Sequence, residues 1–317
     1  MDEFTNGKNT SSEPKYRPNR VSAFSHLLVG IGVFVFCASV FGLLGALAFG
    51  ISIKDITDGV DVMSQFADRP IALKVFVFFS SSLPLIVSVI VVSYLIKANA
   101  KDYLLLHRPN LNLFLLLSLA FVFFGLPLMA PLLELNKLVD LSQWPALNDW
   151  LNAQDTANNK AYEAMIGERN TLSFLTSVLF MAFLPALAEE LFFRGFLLNV
   201  CNGLFKSMHV AIIVTSLIFS AIHLQVLKFL PMFFLAATFA YAVYWTGSIW
   251  TSIIAHFINN LLAVVQLYFI TDGDYTKAVN ESVNLPIAVT VILTLLVAAI
   301  FYYNQTYSKN KVSNFYV

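Results

Sequence analysis

Seven long stretches of this chain contain no Asp, Glu, Lys or Arg, and they limit the possible folds more than any other feature. They are Val21–Ile53, Val75–Ile96, Pro109–Leu133, Asn170–Ala188, Ser207–Leu227, Phe229–Thr271 and Ser282–Ser308. A helix crosses a bilayer with about 20 apolar residues. A charge at its centre costs about 2.5–3.5 kcal/mol, so charge-free windows of this length read as membrane spans. The sixth window is twice the needed length, and Trp245-Thr246-Gly247-Ser248 in its middle reads as a turn. The expectation is an all-α polytopic membrane protein of about eight transmembrane helices with a helical extramembrane loop.

Composition removes the main alternatives. Only 12% of the 317 residues are charged, against about 25% in soluble domains. Nineteen basic and nineteen acidic residues cancel, so nothing favours a nucleic-acid partner. Cys37 and Cys201 form neither a disulfide framework nor a metal-ligand spacing.

The chain divides into a polar tail (1–20), helices 1–3 (21–133), an extramembrane loop (134–170), helices 4–8 (171–303) and a C-terminal tail (304–317). The first apolar run is far longer than the 7–15 residues of a signal peptide core, so it reads as a retained span. An even number of spans puts both ends of the chain on one side. Short stretches there hold Lys8, Lys15, Arg17, Arg20, Lys97, Lys101, Arg108, Arg194, Lys206, Lys309 and Lys311. Asp55, Asp58, Asp61, Asp68, Asp140, Asp149, Asp155, Asp272 and Asp274 collect on the other, which predicts cytoplasmic termini. In the loop, Trp144, Leu147 and Leu151 share a helical face suited to the lipid surface. Gating of substrate is the other reading of that segment. Gly42, Gly45, Ala46 and Gly50 suit close packing of the first span.

Three polar groups interrupt the apolar sequence between Pro185 and Asn260: Glu189-Glu190-Leu-Phe-Phe-Arg194, Phe219-Ser-Ala-Ile-His223 and His256-Phe-Ile-Asn-Asn260. At 100° per residue, Glu190 and Arg194 lie close enough for an i,i+4 ion pair, while Glu189 points elsewhere. At 1.5 Å per residue, Glu189 and His223 come out roughly 17 and 21 Å from one membrane face. His256 comes out only about 10 Å deep, so tilt or a later helix start has to close the gap. Singly, each residue has a structural reading: a packing histidine, a local ion pair, an asparagine linking helices. Together, ionisable groups inside a bundle mark pathways or active sites. His26, His107 and His209 lie near span ends and are given no role.

A carboxylate in a low-dielectric pocket suits a general base for water, and imidazole and carboxamide groups can orient that water and stabilise an oxyanion. Glu with two His is also a sufficient ligand set for catalytic zinc. Both routes end in hydrolysis.

EExxxR, FxxxH and HxxxN in this order resemble the three motifs of the CAAX-protease and bacteriocin-processing (CPBP) intramembrane endopeptidases, which include the type II CAAX prenyl proteases. The likeness covers Phe183–Asn260, including Leu184-Pro185-Ala186, Phe193-Arg194-Gly195 and Thr246-Gly247-Ser248-Ile249. It implies an integral membrane endopeptidase of a bacterial plasma membrane, acting on a peptide or protein substrate that is lipid-modified or membrane-associated. By the same resemblance Glu189 activates water, His223 holds it, and His256 with Asn260 stabilises the oxyanion. Glu190 and Arg194 support them. The family has been described both as metal-free and as zinc-dependent; if zinc is present, His223, His256 and Glu189 are its ligands, and the metal-free reading is preferred. A proton-coupled transporter and a non-catalytic immunity or scaffold protein are the alternatives.

Overall fold

The computed structural model describes residues 18–58, 64–66, 68–108, 128–136, 138–139 and 141–271, and among these every regular element is helical. In chain order they are α1 (Arg20–Ala48), α2 (Ile53–Thr57), α3 (Pro70–Leu95), α4 (Ala100–Tyr103) and α5 (Met129–Asn136). Then come α6 (Pro145–Ile166), α7 (Thr171–Phe205), α8 (Met208–Ile222), α9 (Phe229–Thr246) and α10 (Ile249–Phe269). Helices α1, α3, α7, α9 and α10 are long and apolar enough to span a membrane. Helix α8 is shorter, at 15 residues. Most of the third expected span and all of the eighth lie outside the described residues. So do residues 1–17 of the N-terminal tail, the whole C-terminal tail, and Asp61, Asp140, Asp272 and Asp274.

Short polar residues start the helices. The Asn19 side chain accepts the Ser22 N–H at the start of α1, and Asn170 accepts the Ser173 N–H at the start of α7, both at 2.9 Å. The expected break in the sixth window is real. Gly247 caps α9 in the left-handed region, at φ 65°, and its N–H bonds to the Val243 carbonyl.

Lipid supplies no hydrophobic drive for one helix to leave it for another, so close backbone approach and polar contacts hold the bundle together. On α1, a Cβ at Gly30 would lie 2.2 Å from the Phe196 ring, and one at Gly45 would lie 3.3 Å from Phe79 Cβ. Gly50 does something different. It sits just past α1 at φ 86° in open space and serves the turn rather than the packing.

Two points of the sequence reading change. Arg194 is not in a short stretch at the membrane face; it is buried inside the bundle, 2% exposed, because α7 continues to Phe205. The shallow depth of His256 also disappears, because α10 begins well inside the bundle. Its first residue, Ile249, packs against Gly195, ten residues before the end of α7, or about 15 Å inward. The Ile249 N–H donates to the Leu105 carbonyl at 3.0 Å. The Ser248 hydroxyl donates to the His107 carbonyl. Seven residues further along α10, His256 reaches the level of Glu189 and Glu190.

Helix α6 exposes Trp144, Leu147 and Trp150, while its end packs inward through Met165 and Ile166. There Gly167, at φ 59°, meets Pro70 so closely that a Cβ would lie 2.5 Å from its ring.

Candidate active site

Helix α7 brings both carboxylates into the middle of the bundle. Glu190 is fully buried, and Arg194 Nη1 donates to its Oε1 at 2.8 Å, the i,i+4 pair expected from spacing. Arg194 Nη2 donates to the Ala236 carbonyl of α9 at 3.0 Å. The guanidinium also lies 5.0 Å from the Phe219 ring centroid and 5.7 Å from that of Phe239. One arginine thus ties α7 to both α8 and α9. The arrangement neutralises a buried carboxylate that would otherwise be very costly to hold there.

His256 comes in from α10 and stacks on Phe239, with ring centroids 5.3 Å apart. Its Nδ1 is 2.9 Å from Glu190 Oε1 and its Nε2 is 3.8 Å from Glu189 Oε2. The carboxylate can only accept, so Nδ1 carries the proton in that bond, and Nε2 is turned towards Glu189.

His223 caps the C-terminal end of α8, with its Nδ1 2.7 Å from the Phe219 carbonyl. A carbonyl can only accept, so Nδ1–H is the donor and Nε2 keeps a lone pair when the ring is neutral. Glu189, His223, His256 and Asn260 all line one cavity of about 390 Å³, together with Asn259 and Phe219. Asn259 donates to the Asn260 side-chain oxygen at 3.3 Å, which leaves the Asn260 amide N–H groups for other acceptors. The four residues singled out in the sequence therefore share a cavity, and the supporting pair stands directly behind it.

Among the described residues no group of three or more His, Cys, Asp or Glu side chains is gathered closely enough to hold a metal ion. His256 commits Nδ1 to Glu190 and turns Nε2 towards Glu189 at 3.8 Å.

The other histidines are accounted for locally. His107 pairs with Asp102 at 3.0 Å, His209 meets the Tyr241 hydroxyl at 3.0 Å, and His26 packs edge-on against Tyr103.

Residues 171–262 match the family model described as type II CAAX prenyl endopeptidase Rce1-like. The match covers α7 to the first two thirds of α10, the segment that holds Glu189, Glu190, Arg194, His223, His256 and Asn260. It relates this integral membrane chain to the CAAX-protease-like intramembrane endopeptidases, a class of peptidase acting on peptide or protein substrates. No curated protein and no solved structure matches the chain.

Among the cavity-lining residues that escaped the sequence reading are Gln225, Lys228 and, on α6, Tyr162. They lie outside the motifs, and only the fold brings them to the cavity.

Proposed function

We propose that the protein is an intramembrane endopeptidase that hydrolyses peptide bonds with a water molecule activated by Glu189, without a metal. The observation that carries the reading is the unequal environment of the two adjacent carboxylates. Glu190 is committed to Arg194 and His256, while Glu189 lines the cavity with its carboxylate beside the His256 ring. One acid maintains the architecture, and the other is available for chemistry.

The water would donate one hydrogen to Glu189 and the other to the Nε2 lone pair of His223. Its oxygen lone pair then faces the scissile carbonyl. As the new C–O bond forms, Glu189 takes the proton, and charge develops on the carbonyl oxygen. The Asn260 amide and a protonated His256 Nε2–H would donate to that oxyanion, with Glu190 stabilising the imidazolium through Nδ1. Glu189 then returns the proton to the leaving nitrogen as the C–N bond breaks, giving a carboxylic acid and an amine. Preference for a prenylated or other membrane-associated substrate belongs to this proposal, as does residence in a bacterial plasma membrane. Cytoplasmic termini are supported by Lys97, Lys101, Arg108 and Lys206, which follow helix ends on the side where α1 begins.

The test is cleavage of a quenched-fluorescence peptide by protein reconstituted in liposomes, with fragments identified by mass. Glu189→Gln should lower kcat about 10²–10⁴-fold while the protein stays monodisperse with an unchanged melting profile. Full activity in that variant overturns the reading. Solute uptake driven by a pH gradient, with no peptide fragments, would point to a transporter instead.

A further inference from the structure

The role given to Asn260 depends on which way round its carboxamide stands. Only the N–H edge can donate to an oxyanion. A half-turn about the last side-chain bond exchanges that edge for the oxygen lone pairs, which would face the developing negative charge. The two orientations have nearly the same shape, so packing cannot choose between them. A hydrogen bond can, and the structure supplies one from a residue that the HxxxN spacing leaves unspecified.

Asn259 comes immediately before Asn260 on α10. Neighbours in a helix point about 100° apart and do not normally meet. Around the axis, Asn259 lies about 60° to one side of His256 and Asn260 about 40° to the other. The histidine thus stands between two asparagines, and all three line the cavity. Asn259 Nδ2 donates to Asn260 Oδ1 at 3.3 Å. Asparagine inside a helix bundle commonly hydrogen-bonds to a neighbouring helix. Among the described residues Asn259 makes no such bond; the partner of its side chain is Asn260. Leu235, Phe239 and Ala263, which line the same space, have no side-chain group that could hold a carboxamide. The bond from Asn259 occupies the oxygen edge of Asn260, so the N–H edge is the one left for a substrate carbonyl.

We propose that Asn259 is a positioning residue, holding the Asn260 carboxamide with its N–H edge towards the scissile carbonyl. The inference rests on the endopeptidase reading and adds a residue to it. Asn259 acts on the reaction through Asn260 and not through contact with the substrate.

Two substitutions of similar size separate this role from a structural one. Asn259→Leu removes the donor and leaves the two orientations about equally populated, so kcat should fall about twofold. Asn259→Asp can only accept. It draws the Asn260 N–H edge to itself and turns the oxygen to the carbonyl, so kcat should fall about 10–100-fold. KM should not change, because the oxyanion exists only beyond the ground state. Asn260→Ala should itself cost about 10²–10³-fold. Adding Asn259→Asp to it should change kcat by less than about threefold, because the group acted upon is gone. Rates are read in liposomes with enzyme in excess, so that slow variants are measured in a single turnover.

An equal fall in the Asn260→Ala background overturns the inference, since the new charge would then act by itself. An Asn259→Asp rate within about threefold of wild type also overturns it, as does a rise in KM in place of the fall in kcat. So does a loss beyond about tenfold in Asn259→Leu, which would place the residue in contact with substrate or in the support of the fold. A second measurement needs neither turnover nor the aspartate variant. With asparagine labelled by ¹⁵N, the Asn260 side-chain amide signal, assigned by its loss in Asn260→Ala, should broaden or split in Asn259→Leu. An unchanged signal overturns the inference. If wild type cleaves no peptide, the endopeptidase reading fails and this inference falls with it.

Discussion

Helix α7 carries two buried polar clusters, one near its start and one just past its middle, and they differ in a way that separates structure from chemistry. Near its start, Lys74 of α3 donates to the Ser173 carbonyl at 3.2 Å, the Ser173 hydroxyl at 3.3 Å and the Thr176 hydroxyl at 3.0 Å. Tyr268 of α10 donates to the same Ser173 hydroxyl at 2.6 Å. The contacts are neutral oxygens, Lys74 is 1% exposed, and it does not line the cavity. Further along, Glu190 and Arg194 are equally buried but stand directly behind a wall of Glu189, His223, His256 and Asn260 that faces open space. Burial of a charge is thus common to both clusters. Contact with a space that water and peptide can enter belongs to one.

The contrast is sharpest in activity. Glu189→Gln should cost about 10²–10⁴-fold in kcat, whereas Lys74→Met should leave peptide cleavage within about threefold of wild type, since Lys74 does not line the cavity. A large loss in Lys74→Met would merge the two clusters into one functional unit. Stability should show the next largest difference. Glu190→Ala strands the Arg194 guanidinium in the bundle and should cost about 3–5 kcal/mol, read as a fall in the unfolding midpoint in detergent. Lys74→Met removes a buried charge and leaves its former acceptors with other partners; it should be near neutral or stabilising. Chelation comes third. Cleavage by the purified protein should persist after treatment with a strong zinc chelator. Loss of activity restored by zinc would show that Glu189, His223 and His256 close up around a metal during turnover.

The smallest effect lies at α2, which contributes to neither cluster. The Ser52 hydroxyl and N–H both donate to Asp55, which lowers the Asp55 carboxyl below its usual range. A carboxyl lowered in the folded state stabilises α2 above its unfolded pKa, and that support fades as pH falls through the folded value. NMR shifts of the Ser52 amide should follow this titration in acid, while peptide cleavage at neutral pH is unchanged by Ser52→Ala.

Much of the fold was legible because lipid is an unforgiving solvent. Charge-free windows located α1, α7, α9 and α10, and Gly247 announced the turn between the last two. The second window opened at Val75 and missed the first turns of α3, because Lys74 finds its acceptors on α7, 99 residues away in sequence. The local part of the site was equally readable: Glu190 with Arg194 follows from helical spacing. Which carboxylate receives His256 Nδ1 does not, since it depends on α10 starting level with Gly195. Gln225 and Lys228 carry no local signal at all. Their position is set by Asn136, a residue about 90 positions earlier.

The widened turns of α7 give the site an unusual sensitivity to chain length. Glu189 and Glu190 sit between two π-helical stretches, Val178–Phe183 and Leu191–Leu197, each closed by wider rings than the ordinary helix. Removing one residue from Leu191–Leu197 would turn everything upstream by about 100° against the part of α7 that is anchored at Gly203. Glu189 would swing off the cavity, although no acidic, basic or aromatic group had been replaced. A change of length in that stretch should therefore be as damaging as replacing Glu189 itself.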